Sequence, residues 1–181
     1  MFNLFKKKPK EPDYDVTNLS VKDLNYGFIF DYDMKSWIVK EVYEYDWGDN
    51  NFSKEYKVDS GDEVAFLGIE DDSELTITLA KSIKLRKIEE DVFKKITEKK
   101  KGPNKIHYEE EVFYLHADSA GYFRDCAKDT KDWEELISYE YFNEDETMFI
   151  SLTQWDERTV EAYSGKVIKS FQISNIIPGQ S

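Results

Sequence analysis

The residues best placed by type and spacing to do chemistry are two glutamates, Glu55 and Glu140, each followed by a tyrosine, Tyr56 and Tyr141. Two carboxyl groups that share one cleft can divide acid and base work, one giving a proton while the other takes one. That chemistry would make the protein a hydrolase or a lyase. The two glutamates are far apart in the chain, so only a fold that brings distant strands together can pair them. A second constellation is aromatic. Trp47, Tyr56, Trp133, Tyr141 and Trp155 stand near loops or strand ends with acids beside them. Such rings attract a cation through charge and through the negative face of the ring. The chemistry there is binding of a cationic small molecule, a polyamine for example, without reaction.

Other reactive groups lack partners in the sequence. His107 and His116 are the only histidines, and no cysteine lies near them to complete a zinc site, so no metal is expected. Cys126 is the single cysteine; Arg124 and Lys128 favour its thiolate, and Asp125 and Asp129 oppose them. Glu70-Asp71-Asp72-Ser73 is acidic but lacks the spacing of a calcium loop, and reads as a solvated turn. No glycine-rich phosphate loop is present, so no nucleotide cofactor is expected.

The elements that must position these residues come in two similar sets. Tyr32 and Tyr108, Trp37 and Phe113, and Val39 and Leu115 share one common spacing. Glu55 and Glu140 share a longer one with Tyr56 and Tyr141. Phe66 and Phe149, Ile69 and Leu152, and Thr76 and Thr159 share a third, slightly shorter than the second. The spacing changes at a loop holding Cys126 to Trp133 and at the turns after Tyr56 and Tyr141, where length change is tolerated. Two copies do not make a solenoid; they make a duplicated unit that closes on itself.

Each copy reads as an antiparallel meander. In the first, Tyr26 to Tyr32 and Ser36 to Tyr45 form a hairpin, with Trp37, Val39, Glu41, Tyr43 and Tyr45 on one face. Strands at 55–58, 63–69 and 74–79 follow. Residues 88–100 carry apolar side chains at helical spacing, with Glu89, Glu90 and Asp91 at the start and lysines at the end, and predict one connecting helix. In the second copy Ser164-Gly165 reads as a turn before a last strand at 167–173. The expected fold is therefore all-β with minor α. Two pseudo-repeated antiparallel β-meander halves, about 20–83 and 104–177, form a sandwich or partly open barrel in one domain over 14–181. Each half alone would bury little surface, which favours a joint core.

Charge narrows the partners. The chain of 181 residues carries −13, and four lysines lie in its first ten residues, leaving −17 on the rest. A body this acidic repels phosphate backbones, which excludes nucleic acid. Residues 1–13 read as a flexible basic tail. Phe2, Leu4 and Phe5 followed by Lys6, Lys7 and Lys8 are the one feature pointing to an anionic membrane surface, too short to hold alone. One cysteine and no long apolar run fit a cytoplasmic protein.

Several segments resemble the bacterial domain of unknown function 4178 family. They are Tyr32, Trp37 and Val39; Glu55 and Tyr56 followed by Phe66 to Asp71; Tyr139-Glu140-Tyr141; Ile150-Ser151-Leu152 with Trp155; and Glu161 to Gly165. The resemblance spans about 20–177. It departs at Phe52 and Ala65, where the family often has tryptophan, and near Glu110, where it often has glycine. It implies a soluble β-rich domain, with relatives encoded beside genes of membrane stress or polyamine metabolism. It carries no catalytic residues to transfer. The expected protein is thus a non-enzymatic binding or accessory module for a cationic small molecule or a protein partner. The rivals are a membrane-stress factor using the tail and an enzyme using Glu55 and Glu140.

Overall fold

The computed structural model describes residues 15, 17–71, 73–88, 91–127 and 132–179; Phe2 to Lys8, Asp72, Glu89, Glu90, Lys128 and Asp129 lie outside them. The alternating segments form eleven strands: β1 (Ile29–Tyr32), β2 (Lys35–Asp46), β3 (Phe52–Asp59), β4 (Val64–Asp71), β5 (Leu75–Ile83), β6 (Lys105–Tyr108), β7 (Glu111–Asp125), β8 (Glu134–Phe142), β9 (Met148–Gln154), β10 (Val160–Ile168) and β11 (Ser174–Ile177). All their pairings are antiparallel, in the order β11-β1-β2-β3-β4-β5-β10-β9-β8-β7-β6. A further pairing of β2 with β7, over Tyr43–Asp46 and Tyr122–Asp125, bends the sheet into a partial ring. Eight strands take part in it; β1 with β11, and β6, are wings outside. The fold is mostly antiparallel β with one helix, as expected, and the ring is uneven.

The single helix, α1 (Val92–Lys99), is shorter than the predicted 88–100. Leu85–Lys87 form a 3-10 turn, and Ile88 makes an isolated bridge to Tyr108. Ile88 is therefore spent on the sheet, and the helix starts after Asp91. Its end matches the sequence signal: Lys100 turns left-handed at φ 47, shortly before Gly102-Pro103.

Apolar side chains gather in two clusters instead of the joint core expected. The first holds Phe30, Trp37, Val39, Tyr56, Val58, Leu67 and Ile77, closed by Val21, Leu24, Ile168 and Ile173. The second holds Phe113, Tyr139, Tyr141, Ile150 and Leu152, closed by Val92 and Ile96 of α1 and Ile106 of β6. Both lie on the outer face of the ring, under its wings.

Two irregularities in register make this possible. β2 slips against β3 between Val39 and Glu41, and β7 slips against β8 between Leu115 and Ala117. A bulge adds one residue, so every side chain beyond it changes face. Before the slip, Trp37 and Val39 enter the first cluster; after it, Tyr45 faces the inside of the ring. Phe113 likewise enters the second cluster while Ala117 and Ser119 face inward. The single face predicted for Trp37 to Tyr45 is thus divided.

Two seams join β2–β5 to β7–β10. In the β5–β10 seam Lys81 stands opposite Ser164, at the same spacing as Phe66 and Phe149. In the β2–β7 seam Asp46 stands opposite Tyr122, at the same spacing as Tyr32 and Tyr108. Gly165, predicted in a turn, lies inside β10 at the first seam. A Cβ there would meet the Leu79 carbonyl oxygen at 2.5 Å and Ala80 Cα at 2.8 Å, so glycine lets two backbones approach.

Candidate functional site

The inside of the ring is a cavity of about 320 Å³, a volume within the range of small-molecule sites. Strand alternation fills its wall with the side chains that do not enter the clusters. Beside Tyr56, β3 sends Ser53 and Glu55 inward; beside Tyr139 and Tyr141, β8 sends Ser138 and Glu140 inward. β4 adds Phe66 and Glu70, β5 adds Thr76 and Thr78, β9 adds Ser151 and Thr153, and β10 adds Glu161 and Tyr163. The result inverts the usual arrangement: the wall is polar and aromatic, and the apolar packing lies outside.

Glu55 and Glu140 therefore face one space. The structure brings Trp47 and Trp155 to the same wall. It does not bring Tyr56 or Tyr141 there, since both are fully buried in the outer clusters. Trp133 is elsewhere too, under the guanidinium of Arg124 at 4.8 Å, which also pairs with Glu44.

The four glutamates of the wall differ in company. The Tyr45 hydroxyl donates to Glu55 Oε1 at 3.1 Å. Glu161 Oε2 accepts from Trp155 Nε1 at 3.0 Å and from the Tyr163 hydroxyl at 2.9 Å. Among the described residues, Glu140 accepts no hydrogen bond, and no lysine or arginine pairs with Glu55, Glu70, Glu140 or Glu161. The surface that Glu55 and Glu140 retain opens on the cavity, and the surrounding strands shut their carboxyl groups away from bulk water. That desolvation raises the Glu55 pKa to about 7, against the Tyr45 hydrogen bond that lowers it and with the Glu161 charge that adds to it. Desolvation likewise pushes the Glu140 carboxyl up, helped by Glu70 and opposed by His116.

Aromatic rings continue the wall toward the β2–β7 seam. Tyr45 and Trp47 stack at 5.5 Å with planes 1° apart, Phe123 lies 5.5 Å from Tyr45, and Trp155 meets Phe123 edge-on at 5.1 Å. The Trp47 indole is pinned by its Nε1 donating to Ser53 Oγ at 2.9 Å and by Gly121 beneath it. Deeper in the ring Phe66 meets Tyr163 edge-on at 5.1 Å. Carboxyls beside ring faces can hold an organic cation.

Sequence reasoning missed Glu70, Glu161, Tyr45, Tyr163 and Phe66 as wall residues. Parity was the available signal: Phe66, Gly68 and Glu70 share a face, as do Glu161 and Tyr163. Elsewhere the chemistry is sparse. Among the described residues no group of three His, Cys, Asp or Glu could hold a metal, and no helix is long and apolar enough to cross a membrane. The Cys126 thiol is pushed up, not down, by desolvation and by Glu44, which outweigh Arg124.

A family model described as Domain of unknown function (DUF4178) matches residues 25–170. An uncharacterized protein of Aquifex aeolicus (strain VF5) is 27% identical over 176 residues, covering 97% of this chain and 94% of its own length. No solved structure matches.

Proposed function

The chain belongs to the domain of unknown function 4178 family, whose description names no activity, and we propose that it is a non-enzymatic module, acting in the cytoplasm, that binds a small organic cation inside the ring. The observation that carries this reading is the wall itself. Glu55, Glu70, Glu140 and Glu161 converge on one cavity among aromatic rings, and no described lysine or arginine neutralises them. Buried carboxyls without partners are unfavourable, and a cation bound among them would relieve that cost. Phe66, Tyr163 and Trp155 supply faces for its alkyl and ammonium groups.

The halves are read as two copies of one unit. Each seam contains a pair at a repeat spacing, Asp46 with Tyr122 and Lys81 with Ser164. The register slips after Val39 and after Leu115 also fall at equivalent positions of the two copies. The cavity then lies where the copies meet, and Glu55 and Glu140 are its equivalent acids.

Titration of the purified protein with spermidine, monitored by calorimetry, tests the proposal. Saturable binding that Glu140→Gln weakens about tenfold, with no response to a neutral polyol, is the expected result. Absence of saturable binding, or equal binding of the polyol, would overturn it. Acid–base catalysis by Glu55 with Glu140 is the second reading. It draws on the Glu55 pKa of about 7, where a carboxyl both gives and takes a proton. Chemical conversion of a bound cation, followed by mass spectrometry, would favour it over binding alone.

A further inference from the structure

The ring holds four carboxyl groups in one confined space, and ion pairing does not offset them among the described residues. Among the described residues Glu140 meets no donor, and Glu55 meets one, the Tyr45 hydroxyl. The groups facing Glu55 are known on each side. From β2 they are Tyr43 and Tyr45, and from β10 Glu161 and Tyr163; on β4 its register partner is Gly68, which carries no charge. None of these can supply a positive charge; Lys54 and His116 also line the cavity, and among the described residues neither forms an ion pair with Glu55. A carboxyl in such a place holds its proton more tightly than one in water while the space is empty.

Resting on the reading of the ring as an organic-cation site, we infer that the cavity takes up its cation in exchange for a proton held on Glu55. The exchange balances: an ammonium group enters, the Glu55 O–H bond breaks, the proton leaves to water, and the carboxylate left behind faces the cation. No electron moves and no co-reactant is needed. The released oxygen keeps its place, because the Tyr45 hydroxyl donates to the carboxylate and to the neutral acid's carbonyl oxygen alike. Glu161 keeps its own two donors, Trp155 and Tyr163, and stays in position throughout. The ring therefore responds to two inputs at once, cation concentration and acidity, and an acid shift near neutrality weakens its hold on the cation.

The pKa of about 7 sets the working range. Affinity is expected to fall about tenfold from pH 8 to pH 6, the linkage of one proton. The test is calorimetric titration of the full chain with spermidine, whose amines are protonated at pH 6.5, in buffers of different ionisation enthalpy. At pH 6.5 the observed heat should depend on the buffer with a slope of more than about half a proton released per cation. Glu55→Gln should remove most of that slope while keeping measurable binding, and Glu55→Ala serves if the amide variant misfolds. Carboxyl carbon resonances of the free protein should show one glutamate titrating near neutrality, absent in Glu55→Gln. Binding with heats identical in every buffer at pH 6.5 would overturn the exchange and leave the cation site standing. So would full proton release by the Glu55→Gln variant. No binding at pH 8, where the carboxyls are charged, would overturn both.

Discussion

The Tyr45 hydroxyl donates to Glu55 Oε1 at 3.1 Å, reaching from the end of β2 to the middle of β3. Among the described residues it is the one hydrogen bond this carboxyl receives. A single neutral donor offsets only part of the desolvation, and Glu161 works against it. The proton affinity of Glu55 follows from that imbalance, and so does its influence on stability.

The sign is set by which state holds the proton. The ordinary value is 4.5 and the folded value about 7, so between them the folded chain binds more protons than the unfolded one. The contribution of Glu55 is most favourable below pH 4.5 and is lost as pH rises through 7. The whole difference is about 3 kcal/mol. Glu55→Gln removes it, so the variant should be more stable than wild type at pH 8, by up to about 3 kcal/mol, and close to wild type at pH 5. Urea unfolding at the two pH values measures this. A variant destabilised at pH 8 would contradict it.

Gly165 controls the β5–β10 seam. Its replacement by alanine sets a methyl 2.5 Å from a backbone oxygen and 2.6 Å from Phe149 Cε1. Backbone cannot step aside as a side chain can, so Gly165→Ala should cost about 2 kcal/mol or more. The loss would be read in urea, and amide exchange should rise on both sides of Lys81 and Ser164.

Gly121 controls the other seam more gently. A Cβ there would lie 2.6 Å from Trp47 Cε3. Gly121→Ala should push the indole off its stack on Tyr45 and break its bond to Ser53. The indole N–H resonance of Trp47 is expected to move while those of Trp37 and Trp133 stay; an unmoved signal would refute the packing described.

Tyr141 is fully buried and its hydroxyl has no hydrogen-bond partner among the described residues. Tyr141→Phe removes a desolvated polar group and keeps the ring. It should raise stability by about 1 kcal/mol, in contrast to most core changes. Thermal or urea unfolding of the variant checks this.

Much of this arrangement was legible in residue spacing. The alternating segments anticipate antiparallel strands joined as a meander, and Glu55 and Glu140, singled out by spacing, both line the cavity. What spacing does not carry is facing. Tyr56 follows Glu55 and Tyr141 follows Glu140, yet adjacent strand residues point to opposite sides, so the glutamates enter the cavity and the tyrosines leave it. The slip at Val39–Glu41 has no signature in the residues themselves and overturns any parity count across it. Gly165 was misread because glycine marks both turns and close backbone approach, and only the neighbour at Leu79 distinguishes them.

The β1–β11 wing has a consequence for synthesis. β11 is paired to β1, and Ile168 and Ile173 complete the first apolar cluster. The second cluster needs nothing beyond Ala162. A ribosome therefore delivers every residue of the later-encoded cluster before the last pieces of the earlier one. The first cluster begins earlier in the chain than the second, yet its last residues are encoded after the whole of the second.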